Sequence, residues 1–220
     1  MESGWRNELE AWLSPFSAAL RNKTRRRMCP AYIAGLIGPG DRKSVQPMAA
    51  RDDEVSYDRL HHFVGSGVWD EAPLEAVLLA EADRLVGDDA AWLIIDDTAL
   101  PKKGQHSVGV APQYASTLGK NANCQTLVSL TLARHEVPVM IGLRLFLPES
   151  WTSDPARLAA ARVPDDRREY RTKPEIALDI VRDVAKLNLE VCVTLGEIGS
   201  AEAEALKEAG VTAYNHNIDT

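Results

Sequence analysis

Cysteine is scarce and scattered in this chain. The 220 residues include three, Cys29, Cys124 and Cys192, and no two of them form a CxxC pair. That argues against a disulfide framework or a zinc motif and fits a reducing, cytoplasmic setting. Long apolar runs are also missing. None approaches the roughly 20 residues that span a bilayer, so no membrane partner is expected. The first residues, MESGWRNELEAW, carry acids where a secretory signal has a basic start and an apolar middle. Positive charge is in deficit, with 25 Lys and Arg against 32 Asp and Glu and a formal net charge of −7. This balance disfavours a surface-wide nucleic-acid binder. It leaves room for a local basic patch, because the field of the patch is what a polyanion meets.

What is present suffices for one large domain, or a medium one with a smaller partner. Up to about residue 88 the texture is helical. Trp5, Leu9, Trp12, Leu13, Phe16 and Leu20 recur at three- and four-residue steps, the period of one helix face. The basic run RNKTRRR (21–27) follows, and Gly-Pro-Gly at 38–40 is a firm break. SYDRLHHFVGSGVW and APLEAVLLAEADRLVG read as two more amphipathic helices, with His61 or His62 expected in the core or at a cap. From residue 91 the pattern turns to strands: AWLIID, then a pair joined by the turn RHEVP. Thr172 and Glu175 are spaced as a capping box, with Pro174 in the first turn of a helix over TKPEIALDIVRDVAKL. A strand, a helix and a strand complete the chain. This order predicts an α/β protein: an N-terminal helical region, then a mixed sheet flanked by helices, as in the ribonuclease-H-like fold. The lone Cys124 reads as a small buried strand residue.

The stretch AWLIIDDTALPKKG holds the sharpest question. An apolar strand delivers Asp96 and Asp97 to its end, and two lysines follow. Carboxylates at a strand's carboxyl end suit a divalent-metal site for strand cleavage, where two metals activate the attacking oxygen and stabilise the leaving one. Lys102, Lys103 and Lys120 would then meet phosphates. Asp-Asp-Thr is equally a turn or cap, because these side chains bond nearby backbone. The lysines are equally a solvated face. In RNKTRRR five of seven positions are basic, namely Arg21, Lys23, Arg25, Arg26 and Arg27. That run is either a DNA contact or a solvated charge run.

Residues 91–175 resemble the catalytic domain of DDE transposases of bacterial insertion sequences. The likeness rests on IIDDTALPKKGQHSVGVAPQYASTLGKNANCQTLVSLTLA, LRLFLPESW and RTKPEIAL. Upstream, GLIGPGDRKSVQPMA and LHHFVGSGVWD resemble that family's DNA-contacting helical region, so the likeness covers about residues 10–185. It implies a ribonuclease-H-like partial catalytic domain over 89–187, preceded by a DNA-binding helical region over 1–88. It also implies that Asp97 is a catalytic carboxylate binding Mg²⁺ or Mn²⁺, with Asp96 as its companion. The family's second acid, on the strand after the helix at 174–187, is missing here, and Glu197 is the only acid nearby. Its third acid, a Glu on a later helix, falls beyond residue 220.

The tail over about 188–220, LEVCVTLGEIGSAEAEALKEAGVTAYNHNIDT from Leu189 onward, resembles a segment of biotin synthase. That likeness implies that Cys192 matches a cluster-ligating cysteine, and that Asn217 and Asp219 match pocket residues. One cysteine does not hold a four-ligand cluster, so no intact iron–sulfur or S-adenosylmethionine site is expected. The sequence therefore reads as a chimera in which a strand–helix–strand unit replaces the one native to the transposase sheet, with EVCVTL pairing beside AWLIID. The function implied is transposition of an insertion sequence, truncated and catalytically impaired, retaining DNA binding at the element's ends. A homo-oligomer is left open. Three alternatives stand beside it: an active enzyme using Asp97 and Glu197 as a reduced acid set, a decayed reading frame without activity, and a biotin-synthase-derived fragment.

Overall fold

The structure, a computed structural model, describes residues 3–66, 70–88, 90–185, 191–195 and 199–216. The chain divides into two compact units, residues 1–80 and 81–220.

The first unit is helical. It holds α1 (Ser3–Trp12), α2 (Ser14–Ala19), α3 (Lys23–Ile37), α4 (Val45–Ala49) and α5 (Tyr57–His61), then a π-helical turn over His62–Ser66. The start of α3 is fixed by Asn22, whose side chain accepts the backbone N–H groups of Thr24 and Arg25 at 2.9 and 3.2 Å. Its end comes at Gly38, and Gly40 takes φ +102°, so Gly-Pro-Gly breaks the helix as its composition predicts. The core gathers Leu20, Met28, Met48, Val55, Leu60 and Phe63. His61 and His62 are both exposed, and His62 is the C-cap residue of α5, so the cap rather than the core half of the expectation holds. Phe63 takes the inward position instead, and His61 stacks on Tyr57 at 5.5 Å between ring centroids. The division between units falls inside α6 (Ala72–Val86).

The second unit is built on a six-stranded mixed sheet. Its strands are β1 (Trp92–Pro101), β2 (Ala111–Ala115), β3 (Lys120–Arg134), β4 (Val137–Leu145), β5 (Val191–Leu195) and β6 (Val211–His216). β3 lies antiparallel to β1, with Trp92 opposite Ala133 and Pro101 opposite Cys124. On its other edge β3 carries β2 and β4 end to end, since Cys124 also registers with Ala111 and Leu130 with Gly142. β5 runs parallel to β1, pairing Leu93 with Val193 and Ile94 with Thr194, and β6 runs parallel to β5. The expected pairing of EVCVTL beside AWLIID is therefore present.

Between β4 and β5 come α7 (Glu149–Thr152), α8 (Pro155–Ala160) and α9 (Lys173–Ala185), and α10 (Ser200–Glu208) joins β5 to β6. The inward side of α9, with Ala177, Ile180, Val181 and Val184, is buried. A Cβ added at Gly142 would stand 2.4 Å from Ile180 Cγ2, so only glycine lets β4 and α9 pack this closely. A second cluster of Val110, Leu147, Trp151, Leu158 and Val163 lies under the segment between β4 and α9. There the Trp151 indole N–H donates to Val110 O at 2.8 Å. Among the described residues no helix is long and apolar enough to cross a membrane.

Two local expectations are corrected. The apolar strand does not stop at the acids: β1 runs on to Pro101 because β3 offers partners as far as Cys124. β2 is a strand that the sequence pattern does not predict, because Pro112 and Gln113 hide the alternation. Proline is tolerated at this edge of the sheet. Cys124 is fully buried, as expected.

Candidate functional site

Successive residues of a strand face opposite sides of the sheet. In β1 this puts Leu93 and Asp97 on one face and Ile94 and Asp96 on the other. Leu93 is 2% exposed and Ile94 38%. Directly paired residues share a face, so Asp97, Val128 and Arg144 form one row across β1, β3 and β4. Asp96, Ser129 and Leu143 form the row on the opposite face. The two neighbouring acids therefore do not converge. Asp96 turns back on its own strand, and its Oδ1 accepts the Asp97 N–H at 2.7 Å.

Among the described residues Asp97 has one close charged partner, Lys173, 76 positions further on. Lys173 is the first residue of α9, and the capping box holds that turn in place. The Thr172 N–H donates to Glu175 Oε2 at 2.7 Å, the Thr172 hydroxyl donates to the same oxygen at 2.8 Å, and the Glu175 N–H donates back to Thr172 at 3.4 Å. These bonds, the backbone one foremost, hold the Glu175 carboxyl below its ordinary value. The Lys173 ammonium also lies 5.7 Å from the centroid of the Phe146 ring, within cation–π range. Both members of the Asp97–Lys173 pair are partly exposed, so the pair sets local charge more than it stabilises the fold.

The lysines expected beside Asp97 lie elsewhere. The extension of β1 carries Lys102 about 17 Å along the strand from Asp97, at roughly 3.3 Å per residue. Its N–H donates to Asn123 O at 2.8 Å. Lys103 and Lys120, both exposed, sit at that same end of the β1–β3 ribbon. The cation at the acid is Lys173 instead. The one local signal for it is a basic residue in the turn closed by the capping box.

A two-metal centre needs several oxygen ligands brought together. Among the described residues no three His, Cys, Asp or Glu side chains could hold a metal ion. The described residues offer Asp97 alone, already neutralised by an ammonium, and do not fit a divalent-metal centre. Glu197, Asn217 and Asp219 lie outside the described residues. Cys192 stands in β5 opposite Ala213.

The other expected site is the basic run at the start of α3. Arg21 has φ +54° just before the cap, and Lys23 opens the helix; both are exposed. Arg26 and Arg27 each use part of their guanidinium on the unit's own backbone, donating to Ala18 O at 3.4 Å and Glu54 O at 2.9 Å. Arg25 is half-buried. The run is part structural tie and part exposed charge.

Comparison with known proteins gives two likenesses. The family model described as DDE superfamily endonuclease matches residues 15–208, nearly the whole chain. Curated relatives named biotin synthase match shorter stretches. The protein from Gloeobacter violaceus is 54% identical over 55 residues, 24% of this chain and 17% of the relative. That of a Synechococcus strain is 44% identical over 77 residues, 35% of this chain and 20% of the relative. That of Schizosaccharomyces pombe is 54% identical over 43 residues, 20% of this chain and 12% of the relative. The chain thus spans a fifth or less of the length of these relatives. The residues outside the family match, 1–14 and 209–220, are too few to hold any of these stretches, so the two likenesses overlap in sequence. With a match of this extent, the chain belongs to the DDE superfamily endonucleases.

Proposed function

We propose that this chain is a transposase-derived DNA-binding protein of the ribonuclease-H-like group, catalytically impaired, that engages DNA at the ends of an insertion sequence. The strand order supports the fold assignment. An antiparallel β4–β3–β1 set is continued by parallel β5 and β6, with helices in the connections. Impairment is carried by one observation: Asp97, the acid that the family likeness makes catalytic, is paired with Lys173 and, among the described residues, is not gathered with other carboxylates. Superfamily members use divalent metal ions, and two-metal chemistry loses much with each missing ligand. A chimeric origin accounts for the overlapping biotin synthase likeness, with β5, α10 and β6 serving as the closing part of the sheet.

DNA binding is the activity retained. The charges of Arg21, Lys23, Arg25, Arg26 and Arg27, of which Arg25 is half-buried, would release counterions from the phosphate backbone, so affinity should fall linearly on a log–log plot against salt. The test is a fluorescence-anisotropy titration of a labelled duplex at several salt concentrations, run on the wild-type chain and on one with these five residues changed to Gln. The slope should become less negative by about 0.9 for each phosphate that is no longer neutralised. An unchanged affinity would remove the basic run from the interface. Incubation of the folded wild-type chain with supercoiled plasmid and Mn²⁺ should yield no nicked product, and nicking would refute the impairment.

A further inference from the structure

Five arginines that are scattered in sequence meet in the second unit. A cavity of about 660 Å³ is lined by Arg144 of β4, Arg162, Arg167 and Arg171 of the segment before α9, and Arg182 of α9. No lysine lines it, and apolar side chains including Leu147 and Ile176 complete its wall. Four carboxylates share the lining, and two of them, Asp179 and Asp166, are held by these same arginines. Asp179 accepts from Arg171 at 2.7 Å and faces Arg182 at 3.5 Å, and Asp166 faces Arg167 at 3.6 Å. Such pairs fix the guanidinium planes while leaving other N–H groups of each fork for a second acceptor.

Arg162 stands apart from the other four. It is the residue just past α8 where the helix closes in a Schellman motif. The Val163 N–H reaches back to Leu158 O and the Arg162 N–H to Ala159 O, each at 3.0 Å. That position takes left-handed backbone and favours glycine, yet an arginine occupies it at φ +56°. The arginine side chain has no ion pair or hydrogen bond among the described residues, and it lines the cavity. A strained backbone holding an unpartnered cation at a groove points to a ligand rather than to stability.

Asp97 and Lys173 do not line the cavity, but two of its arginines are placed near them. Arg144 lies in the row Asp97–Val128–Arg144, two strands or about 10 Å from the acid. Arg171 is two residues from Lys173, which holds Asp97. We propose that this arginine-lined groove carries the sugar–phosphate backbone of a DNA strand toward Asp97, with Arg162 gripping a phosphate. Guanidinium forks match phosphate oxygens bidentately, and the apolar wall suits the sugars between them. The inference rests on the DNA-binding reading above and adds to it a second contact surface, independent of the α3 run.

The test uses the full chain and labelled single-stranded and duplex oligonucleotides across a salt series. Arg162→Gly should separate binding from stability. Relief of the left-handed strain should raise the melting temperature by about 2–4 °C. The same change should weaken binding roughly threefold to tenfold and make the salt slope less negative by about 0.7–0.9. Adding Arg167→Gln should roughly double the change in slope, while Arg167→Lys, which keeps the charge, should restore most of it. If the wild-type chain binds DNA and Arg162→Gly leaves affinity and slope unchanged, the groove assignment is overturned and DNA binding through α3 stands. If the wild-type chain binds no DNA, the underlying reading fails and this one with it. Inorganic phosphate replacing chloride at matched ionic strength should displace no additional DNA. Displacement that depends on Arg162 would mark a free-phosphate site and overturn the strand assignment.

Discussion

The molecule carries two concentrations of positive charge, and they are built in opposite ways. The run at 21–27 is continuous in sequence, yet the fold ties Arg26 and Arg27 to backbone carbonyls of their own unit. The groove arginines are spread from 144 to 182, each inconspicuous in its local sequence, and β4, α9 and the segment between them bring them together. A charge run is thus partly absorbed into structure, while in the cluster made by topology Arg167, Arg171 and Arg182 face carboxylates and Arg162 has no ion pair among the described residues. Salt dependence should separate the two, because each phosphate contact contributes its own increment of slope.

The largest effect is expected from removing the wall that the groove stands on. Gly142→Val would drive a side chain into Ile180 of α9. Overpacking of this kind costs about 1–3 kcal/mol. Thermal melting should show destabilisation, and the salt slope should shift as in the groove variants, with the α3 contribution intact. Ile180→Ala in the same chain should recover part of the stability by opening space. If Gly142→Val melts like wild type, the close α9–β4 packing is wrong.

Next comes a division within the α3 run itself. Arg21→Gln with Lys23→Gln should weaken DNA binding at constant melting temperature, since both side chains are exposed. Arg26→Gln with Arg27→Gln should lower the melting temperature as well, because the bonds to Ala18 and Glu54 go with the charge. Equal melting temperatures in both pairs would erase the distinction between tie and contact.

A smaller effect is expected at Asp97. Titration of the wild-type chain with Mn²⁺, followed by electron paramagnetic resonance, should show no stoichiometric site. Lys173→Met frees the carboxylate and should produce weak binding at most, because one carboxylate is left without companions. A stoichiometric site in the wild type would mean that Lys173 does not hold Asp97.

The smallest effect is a pH dependence at the start of α9. The folded-state pKa of Glu175 is depressed by its bonds to Thr172, so its contribution is fully present above the ordinary value of 4.5. It is lost as pH falls through the lower folded value. Melting temperature should therefore be insensitive to this group near neutrality and should drop below about pH 4. Thr172→Ala should lower the neutral-pH melting temperature by roughly 2–4 °C and flatten that acid limb.

Much of the fold was legible in local pattern. The α3 break at Gly38, the β3–β4 turn at His135 and Glu136 and the α9 capping box follow from residues close together in sequence. The pairing of β5 with β1, which joins Leu93 to Val193, follows instead from the slot a strand–helix–strand unit takes in the sheet. The site was less legible because its relations are long-range. Asp97 was identifiable by type and by family likeness. That β1 continues past it depends on the length of β3, and that its partner is Lys173 depends on where α9 crosses the sheet. Asp96 looked like a companion because adjacency in sequence hides the alternation of a strand. Arg162 had no sequence signal, since its left-handed backbone follows from the way α8 ends.

The measurement that bears most directly on the proposed function is the affinity of the wild-type chain for a DNA duplex over a salt series, with a plasmid-nicking reaction in Mn²⁺ run on the same sample. Tight binding with a steep, linear salt slope and no nicking is the expected result. Affinity independent of salt, or nicking by the folded chain, would contradict a DNA-binding protein whose candidate catalytic acid is held by Lys173.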